Sequence, residues 1–219
     1  MRTLLLSALM LALACSGAFA NNDSGAEAIN GQGGPVLPAT GDASLTTQFA
    51  QNNNFAGNSF DITAMTDVTV VGWDCNIAPV LPTVTISVYY RTGTANGNET
   101  NPAGWNLLGS DVVVPAGIDL PTHVDVGGLN IAAGETVGIA IHCGECVSGT
   151  GGFHYTNIPA GATYSNADMT VTTYNGFGTP FPPAPSIFSG RSWNGTVHYD
   201  YATSTPVEST TWGSIKIGF

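Results

Sequence analysis

Val84, Ile86, Val88 and Tyr90 recur two residues apart, with Thr85, Ser87, Tyr89 and Arg91 between them. Alternation of β-branched or aromatic residues with polar ones describes a strand with one face on a core and the other toward water. A helix would place its apolar positions three and four apart. Similar patterning marks segments 59–64, 67–75, 106–114, 122–126, 136–143, 152–156, 168–173, 193–201 and 212–218, and the strand at 83–91 is expected to be the one around which the others pair. Turn-forming residues separate them: Asn96-Gly97-Asn98, Pro115-Ala116-Gly117 and Ala132-Ala133-Gly134-Glu135. No window carries a 3.6-residue period, so no helix is expected. Many short strands punctuated by turns predict an all-β fold, and their number favours a two-sheet antiparallel, jelly-roll-like sandwich over the smallest immunoglobulin layout.

Two irregularities refine this picture. At Val68-Thr69-Val70-Val71-Gly72-Trp73 the alternation slips beside a glycine, which predicts a β-bulge. The run Pro180-Phe-Pro-Pro-Ala-Pro185 lacks ladder donors and reads as an extended crossover between sheets. Four segments follow: 1–20 as a signal peptide, 21–43 as a polar, Gly-rich flexible leader, 44–201 as the sandwich domain, and 202–219 as a Ser/Thr-rich tail. That tail closes with Trp212-Gly-Ser-Ile-Lys-Ile-Gly-Phe219, an edge strand or a short sorting signal.

The signal is legible from Arg2, the apolar run over 4–14, and the small-x-small site Ala18-Phe19-Ala20, with cleavage expected after Ala20. The run falls short of the ~20 residues that span a bilayer, so no transmembrane segment is expected. Cys15 raises a lipoprotein alternative, weakened by Ala12 where a leucine is usual. Export sets the expected location, secreted or on a bacterial cell surface. Fifteen acidic residues against 4 Lys plus Arg give a formal net charge of −11. Nucleic acid and anionic membranes need clustered basic residues, so the charge balance argues against them as partners. The expected partner is an extracellular glycan or protein.

Past the signal three cysteines remain, Cys75, Cys143 and Cys146. Val71-x-Trp73-x-Cys75 and Val137-x-Ile139-x-Ile141-x-Cys143 both end on the inward parity, so a Cys75–Cys143 disulfide is expected if the two strands are neighbours. The alternative is that Cys143-Gly-Glu-Cys146 closes a tight loop or acts as a redox or metal motif. The motif ends a strand rather than opening a helix, which speaks against a reactive thiolate.

Phe60-Asp-Ile-Thr-Ala, Val88-Tyr-Tyr-Arg-Thr-Gly-Thr, Glu99-Thr-Asn-Pro-Ala-Gly-Trp-Asn-Leu-Leu-Gly, Tyr164-Ser-Asn-Ala-Asp and Arg191-Ser-Trp-Asn-Gly-Thr-Val-His-Tyr give the chain a family likeness from about residue 55 to 201. It resembles uncharacterised β-sandwich modules of bacterial secreted and surface proteins. The resemblance implies a fold and a location and no reaction. The cysteines around 143–146 depart from it.

Candidate chemistry follows from residue type and parity. Tyr89 faces outward beside Arg91, while Trp105 and Trp193 stand at loop-to-strand junctions next to Asn106 and Asn194. Flat rings beside amides suit stacking on a sugar and bonding its hydroxyls; the plainer fate of Trp73, Trp105 and Trp193 is to fill the core. His123 with Asp125, and His198 with Asp200, share strand faces and could each supply two metal ligands, which His142 and His154 would have to complete. Calcium is a second candidate ion, from Asp61, Asp67, Asp74, Glu99 and Asp168 near strand ends. No Gly-x-Ser-x-Gly motif and no carboxylate pair marks a catalytic centre. The sequence therefore favours a non-catalytic module for binding or adhesion. A subunit assembling through edge strands and a metal-dependent hydrolase are the alternatives.

Overall fold

Val, Ile, Thr and aromatic residues at alternate positions build strands from nearly every segment the pattern marked. The computed structural model describes residues 41–146, 152–178, 181–184 and 186–202; the expectations for the signal, most of the leader and strand 212–218 lie outside them. Fifteen strands form: β1 (Ala43–Thr46), β2 (Asn53–Phe55), β3 (Gly57–Ala64), β4 (Val68–Asn76), β5 (Val84–Thr92), β6 (Asn106–Val113), β7 (Pro121–Val124), β8 (Leu129–Ile131), β9 (Thr136–Cys143), β10 (Phe153–Asn157), β11 (Ala162–Ser165), β12 (Met169–Phe177), β13 (Ile187–Ser189), β14 (Arg191–Trp193) and β15 (Gly195–Tyr201). The described residues contain no helix, and thus none long and apolar enough to cross a membrane.

A five-stranded sheet runs β1-β15-β4-β7, with β8 also on β4. A seven-stranded sheet runs β11-β12-β3-β9-β5-β6, with β13 on β12. A small third sheet, β14-β10-β2, lies against β3 and β12 of the large one. Strand pairing is antiparallel throughout these sheets. The chain passes repeatedly between layers, so the sheets pack face to face as a sandwich.

Inward-facing residues from both large sheets form one core: Phe60, Ile62, Val84, Ile86, Val88, Ile139 and Ile141 on one side, Val68, Val70, Trp73, Val124 and Val197 on the other. One aromatic from each sheet meets at its centre. Trp193 of β14 stacks on Phe60 of β3 with centroids 4.5 Å apart, and Trp73 of β4 stands edge-on to both at 6.2 and 6.3 Å. The Trp73 indole N–H donates to the Val126 carbonyl at 2.7 Å, so this polar atom is buried satisfied.

The bulge forms where the alternation slips. Gly72 pairs with His198 and Val70 with Tyr199, leaving Val71 as the extra residue. The chain's expected centre moves, however. β5 lies one place from the edge of its sheet, and β3 and β9 occupy the middle. Both are buried along most of their length on both faces, because a second, outer layer of loops covers this sheet. Residues 181–184 of the proline-rich run are part of that layer. The run joins β12 to β13, which pair with each other, so it does not cross between sheets. Phe181 and Ala184 instead pack with Phe177, Ala140 and Trp105 on the outer face.

The expected Cys75–Cys143 disulfide is not formed. Cys75 lies on β4 and Cys143 on β9, in opposite layers. Facing sheets stand ~10 Å apart, whereas a disulfide needs Cα atoms within ~4.4–6.8 Å. Cys143 bonds Cys146, with Cα atoms 5.3 Å apart, and Cys75 is a buried free thiol. β6 is the edge strand of the large sheet; there and in the loop beyond it Leu107, Val112, Val114, Ile118 and Leu120 are exposed.

Two outcomes test this description. Trp193→Ala should cost about 3–5 kcal/mol of unfolding free energy in urea titration; a loss below about 1 kcal/mol would mean the ring is not a core plug. Burial also raises the Cys75 thiol pKa well above its ordinary value. Alkylation without reductant should therefore spare Cys75 in the native protein and label it in denaturant, while Cys143 and Cys146 stay linked in one peptide. Labelling of Cys143 or Cys146 would contradict the pairing.

Candidate functional site

The four residues expected to bind a ligand do not form one open face. Trp193 is fully buried in the core and offers no surface to a ligand. That expectation is corrected: a large indole beside the inward parity of β15 gains more from burial than from display. Tyr89, Arg91 and Trp105 do come together on the outer face of the large sheet. The Arg91 guanidinium sits 5.6 Å over the Trp105 ring. Phe181 then covers the group, edge-on to Tyr89 at 5.0 Å and to Trp105 at 5.3 Å. The Tyr89 hydroxyl donates to the Phe181 carbonyl, and the Trp105 indole N–H to the Asn98 carbonyl. The outward parity of Tyr89 was legible; the loop that lies on top of it was not.

An open cleft lies instead at the small sheet. Asn53, Asn54 and Phe55 of β2, Tyr155 of β10, Arg191 of β14 and Phe188 of β13 line a space of about 160 Å³. Phe188 at the lip is 39% exposed and stands edge-on to Phe55, centroids 5.4 Å apart. Arg191 lies 5.9 Å over the Tyr155 ring. Two glycines on the β12 side make this packing fit. A Cβ at Gly176 would come within 3.1 Å of Arg191 and 3.3 Å of Tyr155, and one at Gly178 within 2.6 Å of Phe55. Arg191 Nη1 donates to the Ser189 and Gly190 carbonyls. Two polar atoms are buried here without a partner, Arg191 Nε and Asn54 Oδ1. Burial raises the Tyr155 hydroxyl pKa, with Arg191 opposing the shift. β2, β13 and β14 are short, so periodicity gave no sign of their part in this site; Arg191, one of only 4 basic residues and two positions before Trp193, was the available clue.

A second constellation sits on the outer face of the five-stranded sheet. Asp74 of β4 is flanked by β15 and β7, and pairs across the ladder with Thr196 and His123. His198 lies diagonally, opposite Gly72, which places no side chain in its way. His123 Nδ1 is 3.0 Å from Asp74 Oδ1, and His198 Nε2 is 2.8 Å from Asp74 Oδ2. Burial would raise the Asp74 carboxyl pKa, but the hydrogen bonds and charges of the two imidazoles outweigh it and hold the group below its ordinary value. Among the described residues this is the group of three His, Cys, Asp or Glu side chains close enough to share an ion. The expected partners Asp125 and Asp200 do not join. The Asp125 backbone N–H donates to Asp111, and the Asp200 carboxylate accepts from the Asp42 N–H.

The other acidic residues with calcium-ligand potential are spread over the fold and spend their oxygens on protein donors. Asp61 accepts from Thr94 and Ala95, Glu99 from Ser59 and Asn175, Asp67 from Ala133, and Asp168 from Tyr199 and Tyr201. His142 and His154 are buried elsewhere, His142 facing Phe177 with ring centroids 6.3 Å apart.

Comparison with protein-family models finds none that matches this chain, and comparison with curated proteins finds no match.

Burial lowers the His142 pKa to about 4, a shift only partly opposed by the charge of Glu145. The unfolded chain takes up this proton near pH 6.5 and the native protein only near pH 4. Stability is therefore full above pH 6.5 and falls as the pH drops toward 4, by on the order of 3 kcal/mol. Urea titrations across that window should show the slope, and His142→Gln should flatten it. A slope unchanged in the variant would assign the effect to other groups.

Proposed function

We infer that the protein is an exported, non-catalytic β-sandwich that binds extracellular glycans through the cleft at its small sheet. The observation that carries this reading is the meeting of exposed Phe188 and half-buried Phe55 with Asn53, Asn54 and Arg191, over the buried Tyr155 ring, in one open space. Apolar ring surfaces accept the C–H face of a sugar, and amides and a guanidinium bond its hydroxyls or a carboxylate. The cleft is smaller than the ~300–1,000 Å³ of sites that engulf a whole ligand, so it suits one ring of a longer chain. The signal-like segment 1–20 and the acidic composition support work outside the cell, as does the likeness to secreted surface modules. The cleft's residues come from β2, β10, β13 and β14, so the site is held by strands rather than by a free loop, a preorganised arrangement that limits the entropy lost on binding.

Affinity electrophoresis against neutral and uronic-acid polysaccharides tests it. At least one polymer should retard the protein, and Phe188→Ala and Arg191→Ala should each weaken that binding about tenfold or more, with thermal midpoints close to the parent. Retardation by none of the polymers, or binding indifferent to both substitutions, would overturn the assignment.

A further inference from the structure

We propose that Asp74, His123 and His198 form a binding site for a divalent transition-metal ion, zinc in the first place. The site is built from three adjacent strands of one sheet, so each ligand is fixed by its ladder register rather than by a loop. One carboxylate lies between two imidazoles at 3.0 and 2.8 Å, and the donor atoms all fall within 4.8 Å of one another. A tetrahedral zinc with bonds of 2.0–2.2 Å separates its ligands by ~3.3 Å. Closing the set thus takes side-chain torsion and no movement of the strands.

The donor set selects the ion. Two imidazoles and one carboxylate suit zinc, copper(II) or nickel(II), whereas calcium and magnesium prefer oxygen alone. Entry is open: the His123 and His198 side chains are 22% and 13% exposed. Three protein ligands leave a fourth position for water or for a donor atom from a partner, the pattern of an open rather than a closed zinc site. On binding, each imidazole offers the nitrogen that faces Asp74 and carries its hydrogen on the other ring nitrogen. The outer face of the five-stranded sheet would then present a cation on a chain of formal net charge −11. The site shares no residue with the glycan cleft, so either can fail without the other.

The test uses the untagged chain, stripped with chelator and dialysed against buffered zinc. One ion per chain should bind, the thermal midpoint should rise, and added chelator should reverse the rise. His123→Gln and His198→Gln should each weaken binding by more than about 100-fold, while Asp125→Asn and Asp200→Asn should leave it unchanged. Ring signals in NMR provide a readout that needs no variant: zinc should shift His123 and His198 and leave His142 and His154 in place. Absence of stoichiometric binding to the parent chain, or equal shifts of all four histidines, would overturn the proposal.

Discussion

The packing of Phe60, Trp73 and Trp193 holds the molecule together, because each ring comes from a different sheet. Two hydrophobic sheet faces must bury each other to leave water, and large rings bury the most area for each residue ordered. Stacked and edge-on contacts add about 0.5–1.5 kcal/mol per pair beyond the area itself. The geometry also fixes how the small third sheet attaches. Trp193 is the residue of β14 that enters the common core, and the rest of its sheet follows it.

Both candidate sites derive their geometry from that anchor. On β14, Arg191 lies two residues before Trp193 and so shares its side of the strand; it leans over Tyr155, which is next to Trp193 across the ladder pair Tyr155↔Trp193. On β4, Asp74 follows Trp73 and faces the opposite way by the pleat. The same indole that is locked inward holds the carboxylate outward, between His123 and His198. The bulge at Val71 adds a residue to β4 and resets the register, which sets His198 opposite Gly72 and within reach of Asp74.

The outer face of the large sheet shows the opposite outcome. Tyr89, Arg91 and Trp105 have the composition of a binding platform, yet Phe181 lies on them. A seven-stranded sheet has more apolar and aromatic side chains on its outer face than water tolerates, and a loop carrying Phe181 and Ala184 covers them. Buried Asp61 and Glu99 belong to the same covering. Their carboxylates accept hydrogen bonds from Ser59, Thr94, the Ala95 backbone and Asn175, which ties the loop around residues 94–99 to the sheet.

The two-residue beat by itself determined the all-β class, most of the longer strands, the inward parity of Trp73, Val84, Ile86, Val88 and Cys143, and the bulge beside Gly72. These are local consequences of side chains alternating across a pleat, and they need no knowledge of the partner strand. Strands of three or four residues, β2, β8, β13 and β14 among them, are too short to show a period, and the cleft residues other than Tyr155 sit on three of these four. Which strands became neighbours was decided only by the tertiary structure: it separated Cys75 from Cys143 and brought Asp74 between two histidines 49 and 124 residues away in the chain. Strand order depends on how whole sheets cover one another's apolar area, and that is a property of the assembled layers, which no single segment encodes.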